Sequence, residues 1–152
     1  MRTEFRLPGY GGAALFLRSH VVPPRTLATD GQRLVFDVGF LSPDRFTWYL
    51  ARPAGDGFAE RLATFLFRAA ADFHPENSLQ TFSDLEMGLT ISVRTSTDSR
   101  VELEVTLVEE AAAPVDDSDG LNFETSRVVL ASSAQAASVL VGGSVAAFDM
   151  EF

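Results

Sequence analysis

The chain has 152 residues, 46% of them hydrophobic and 22% charged, with no cysteine. That length fits one domain, residues 1–152, with enough buried surface to fold without a disulfide or metal. The absence of cysteine excludes disulfide frameworks, iron–sulfur clusters, Cys-rich zinc sites and thiol catalysis. The 21 acidic residues outweigh the 12 basic ones, for a net charge of −9, and all twelve basic residues are arginine.

The charge is unevenly placed. Residues 1–76 hold nine arginines against eight acids, whereas residues 77–152 hold three arginines against thirteen acids. Nucleic acid is therefore not an expected partner, because phosphate binding needs a positive footprint. No membrane is implied either, since the longest apolar runs, such as Phe65–Ala71 with its internal Arg68, fall far short of the ~20 residues of a span. Met1–Arg6 carries charges with no apolar core behind them and does not read as a signal peptide. A cytoplasmic location is expected, and the lysine-free, alanine- and arginine-rich composition suggests a GC-rich bacterial genome.

Ala13–Val21 reads as the first strand, ended by Val22-Pro23-Pro24. Arg33–Gly39 alternates, with Leu34, Phe36 and Val38 on one side and Val35 and Asp37 on the other. After the turn Leu41–Asp44, Arg45–Ala51 alternates again, setting Phe46, Trp48 and Leu50 against Thr47, Tyr49 and Ala51. Three such strands predict an antiparallel meander.

A helix follows over Asp56–Phe73, where Phe58, Leu62, Phe65, Leu66, Ala69 and Phe73 form a stripe of helical period. Asp56 is placed to cap it, and His74-Pro75 stops it. Met87–Val93 and Val101–Leu107 alternate around Ser96–Ser99 and predict a paired hairpin. Phe123–Leu130 reads as the last strand, reached through a polar loop, Ala111–Gly120. Ser132-Ser133-Ala134-Gln135 resembles a capping box and places a second helix near Ser133. Gly142-Gly143 leaves Ser144–Phe152 as helix, strand or tail. The fold class is α+β in the order β-β-β-α-β-β-β-α, an antiparallel sheet of about six strands with helices on one face. The sequence shows no internal repeat.

Little of this carries catalytic chemistry. Two histidines, His20 and His74, sit at element ends without metal-ligand spacing. Gly9–Ala14 matches a dinucleotide pattern only superficially, lacking a preceding strand and following helix, and reads as a turn. Gly142–Ala146 resembles a nucleophile elbow in the wrong context. No enzyme, cofactor or metal is expected.

The acids are the remaining signal. Glu102 and Glu104 lie two residues apart on the solvent side of one strand, and Glu109, Glu110, Asp116, Asp117 and Asp119 follow. They do not fit a calcium loop. They fit either a solvated loop or an electrostatic docking surface.

The meander, the helix Phe58–Phe73 ending in Asp72-Phe73, the hairpin around Ser99–Val105, a strand and a final helix from about Ser133 form a pattern spanning residues 30–148. This pattern resembles small actinobacterial proteins of unknown function related to the immunity proteins of WapI-type contact-dependent toxins. His74-Pro75-Glu76-Asn77 stands where that pattern carries tryptophans. The resemblance implies a non-enzymatic protein that neutralises a toxin by binding it. The first expectation is thus an immunity- or antitoxin-like module docking a basic protein through its acidic second half. A homo-oligomer subunit held by an aromatic sheet face is the second, and a binder of a small apolar ligand in the sheet–helix interior is the third.

Overall fold

The structure, a computed structural model, describes residues 4–20, 34–71, 79–97, 99–108 and 118–140. It is α+β with antiparallel sheets, as expected. The described strands number eight, however, and form two four-stranded sheets rather than one sheet of six.

The first sheet comprises β1 (Glu4–Pro8), β2 (Ala14–Ser19), β3 (Leu34–Ser42) and β4 (Arg45–Ala54), and helix α1 (Phe58–Ala71) follows it. The second comprises β5 (Gln80–Asp84), β6 (Leu89–Thr95), β7 (Arg100–Val108) and β8 (Ser118–Ser126), followed by α2 (Arg127–Ser138). Each sheet is a simple meander in chain order. The fold therefore runs through ββββα twice, a repeat of topology without a repeat of sequence.

Alternation explains the layering. In the first sheet Phe5, Leu7, Leu15, Leu17, Phe36, Val38 and Phe40 are buried, and in the second Leu89, Ile91, Val93, Val101, Leu103, Val105 and Leu107. These inner faces join Phe58, Leu62 and Leu66 of α1 and Leu130, Ala134 and Ala137 of α2 in one hydrophobic cluster. The aromatic stripe of α1 lands as its period requires: Phe58 meets Phe36 at 5.3 Å and Phe82 at 5.9 Å, and Phe65 meets Phe82 at 5.7 Å between ring centroids. The two helices also pack on each other. No described helix is long and apolar enough to cross a membrane.

Five elements differ from expectation. β1 and β5 are strands that the apolar pattern did not reveal. The last strand spans Ser118–Ser126, so residues read as polar loop, including Asp119 and Gly120, pair with Leu107 and Thr106 of β7. The second helix begins at Arg127, not near Ser133, because Ser126 is its N-cap and its Oγ accepts from the Val129 amide at 3.0 Å. Ser133 lies buried inside the helix. The first helix begins at Phe58 rather than at an Asp56 cap, and the Asp56 carbonyl accepts from Arg61 Nε at 3.0 Å. Its stop at His74-Pro75 and the segment Gly142–Phe152 lie outside the described residues.

Polar groups tie the two sheets. Arg52, buried on β4, donates to the carbonyls of Met87 and Val108. The buried Asp84 carboxylate accepts from the amides of Gly55 and Met87 and from Arg61 at 2.6 Å. Arg127 donates to the carbonyls of Ala69 and Ala70 at the end of α1, where a cation suits the helix dipole. The Pro8 carbonyl accepts from Thr125 Oγ1 on β8 at 2.8 Å.

Candidate functional site

The acidic set predicted from the sequence divides in three. Glu102 and Glu104 stand exposed on the outer face of the second sheet, as the two-residue spacing requires. Register places Arg94, Glu102 and Glu124 side by side across β6, β7 and β8, and Ser92, Glu104 and Asn122 in the next row. The strand rows of this face are polar, and a depression of about 110 Å³ lies between Ser92, Arg94, Glu102, Glu104 and Asn122, with the exposed Leu79 and the buried Leu103 completing its lining. Glu124 is partly engaged, 3.6 Å from Arg100 and accepting from Ser96 Oγ at 3.2 Å.

Asp119 does not belong to that surface. It accepts two hydrogen bonds from Arg45, at 2.6 and 2.7 Å, and one from the Tyr49 hydroxyl at 2.5 Å. The Arg45 guanidinium, against the opposing effect of burial and with help from Tyr49, holds the Asp119 carboxyl below its ordinary range. Asp119 is a fastener between β8 and β4. Glu109, Glu110, Asp116 and Asp117 lie outside the described residues.

The second surface is a sheet face, which sequence reasoning offered only as an apolar homo-oligomer interface without saying which strands carry it. The alternation in β4 turns Tyr49 inward and Phe46, Trp48 and Leu50 outward, so the outer face of the first sheet is aromatic. Phe46 is 50% exposed and Leu50 58%. Phe16, Phe46 and Trp48 form a triangle with ring centroids 5.2–6.1 Å apart. Arg6 lies over Phe16 at 5.5 Å and Arg18 over Trp48 at 4.0 Å, in cation–π geometry. Trp48 rests directly on Gly39, where any Cβ would come within 2.9 Å of the indole.

Beside this platform sits a buried hub. Asp37, only 4% exposed, accepts from Arg18 Nε at 2.9 Å, from the Ala51 amide at 2.9 Å and from His20 Nδ1 at 2.8 Å. Burial pushes the Asp37 carboxyl up, but the Ala51 amide, Arg18 and His20 outweigh it and the group ionises below its usual range. The register shifts here, between Phe36 and Val38, and Ala51 takes a φ of +56°, a left-handed conformation rare for a residue with a Cβ.

A second recess, about 720 Å³, opens between α1 and β5. Glu60, Arg61, Thr64, Arg68, Gln80 and Thr81 frame it around Phe65 and Phe82, giving a groove of mixed charged and aromatic lining. Among the described residues no three His, Asp or Glu side chains are grouped to hold a metal ion. No family model, curated protein or solved structure matches the chain.

Proposed function

We propose that this protein is a non-enzymatic docking module, immunity- or antitoxin-like, which takes a basic protein on the outer face of its second sheet. The observation that carries this reading is the placement of Glu102 and Glu104: exposed, two residues apart, on a sheet face whose opposite side is the hydrophobic core. Sheet geometry fixes their spacing, and neighbours Ser92, Thr106 and Asn122 offer polar groups for a wet rim. In sequence, Glu109, Glu110, Asp116 and Asp117 follow these glutamates and lie outside the described residues. Opposite charges accelerate encounter by steering, and a basic toxin domain with a positive active-site groove is the kind of partner such a surface suits.

The test is comparative capture from the native host, with wild type and E102Q/E104Q as baits. A basic protein retained at low salt by wild type and depleted at least about threefold with the variant supports the reading. Equal recovery by both baits, or a captured protein without basic character, contradicts it.

A further inference from the structure

The outer face of the first sheet differs in chemistry from the proposed acidic dock and stands apart from it in the chain. Asp37 is a carboxylate removed from water, and burying a charge is unfavourable unless it is fully hydrogen-bonded. Here its bonds go to Arg18, whose side chain is about half exposed, to the partly buried His20 and to the amide of the strained Ala51. Backbone strain and a register shift are thus maintained around a group whose effect is to hold two basic side chains still at the surface.

Arg18 is held from two directions. Its Nε is fixed by Asp37 and its guanidinium plane by the Trp48 ring, while its two Nη groups hydrogen-bond no described residue. A guanidinium fixed in this way has already lost the rotamer freedom that binding would otherwise remove, and its fork matches a carboxylate in bidentate geometry. Around it lie Phe46, Leu50, Phe16 and Trp48. Exposed aromatic and arginine side chains grouped like this are the composition of interface hot spots.

We propose that the outer face of the first sheet, centred on Arg18 and Trp48, binds a carboxylate-bearing apolar segment of another protein. One acidic side chain of that segment pairs with Arg18, and its apolar neighbours lie on Phe46, Phe16 and Leu50. The Arg18 fork selects this occupant: Asp37 takes only its Nε and Trp48 only its plane, Arg6 adds a second outward arginine on β1, and Glu4, which stands opposite Arg18 in the β1–β2 register, makes no hydrogen bond with it. A single-stranded nucleic acid would also stack on aromatic rings. Two arginines in a chain of net charge −9 make a poor track for a phosphate backbone.

Trp48 is the sole tryptophan, so its emission reports on this face alone. The probes are an octapeptide alternating leucine or phenylalanine with glutamate, the same peptide with glutamine for glutamate, and an oligothymidylate. The glutamate peptide is expected to shift Trp48 emission with saturation below about 1 mM, and the glutamine peptide to bind about tenfold more weakly. R18Q should lose about the same factor, whereas E102Q/E104Q should bind as wild type does, which separates this site from the acidic dock. Because R18Q also removes a partner of Asp37, the comparison of the two peptides on wild-type protein stands as an independent arm. Equal binding of both peptides, no binding of either, tighter binding of oligothymidylate, or sedimentation of the free protein as a dimer dissociated by W48A would each overturn the proposal.

Discussion

At the level of single residues, the arginines do more than offset acids. The guanidinium is a planar fork that stays charged, and it holds a carboxylate in fixed geometry where an ammonium would not. Arg45 grips Asp119 through both Nη groups, while Arg18 reaches Asp37 through Nε alone and Arg61 reaches Asp84 through one Nη. Asp37→Asn replaces the hub's charge with an amide whose nitrogen cannot accept, and should cost about 1–3 kcal/mol in chemical denaturation. It should also free Arg18 from the indole and change Trp48 emission. Asp37 and Asp119 are both held below the ordinary aspartate range when folded. Their contribution to stability is therefore complete above an unfolded value of about 3.9 and is lost as pH falls through the lower folded values. Urea midpoints should drop below about pH 4, and Asp119→Asn should flatten that drop. A midpoint that rises on acidification would contradict these pairings.

At the level of elements, what was legible depended on how much apolar surface each segment buries. The strands around Phe36, Ile91 and Leu103 and the helix around Leu62 show their period in sequence because several side chains of each enter the core, whereas β4 shows it because Phe46, Trp48 and Leu50 share the outer face opposite Tyr49. β5 buries Phe82 and Asp84 alone, and an acid does not register as a core residue. β1 is five residues long with Phe5 and Leu7 as its buried pair, too short to display alternation convincingly. The second helix was displaced in prediction by two serines: the Ser132–Gln135 pattern imitates a cap, while Ser126 performs the capping. Ser126→Ala should cost about 1 kcal/mol, measurable as a lowered denaturation midpoint. Gly39→Ala is the corresponding test of the first sheet, since its methyl must push the Trp48 ring off the strand. The expected outcome is altered indole emission with the secondary structure retained.

For the whole molecule, the charge asymmetry between the two halves takes on a spatial form. The first half contributes a sheet whose outward face is aromatic with arginine at its rim, and arginines that reach across to Asp119 and Asp84. The second contributes a sheet whose outward face carries Glu102 and Glu104. The sequence placed these two glutamates on the solvent side from spacing alone. It counted Asp119 with them because pairing across 74 positions leaves no local trace. The aromatic face was legible only in part, since alternation separates Trp48 from Tyr49 without saying which of the two meets the core.

The central claim, electrostatic docking of a basic protein on the second sheet, is tested most directly by its association rate. Screening shortens the reach of surface charges to about 10 Å at 0.1 M salt, so steering by Glu102 and Glu104 must fade as ionic strength rises. With the captured basic partner in stopped flow, the rate should fall about tenfold or more between low and physiological salt, and E102Q/E104Q should start lower and fall less steeply. A rate that is independent of salt and the same for both proteins would contradict the account.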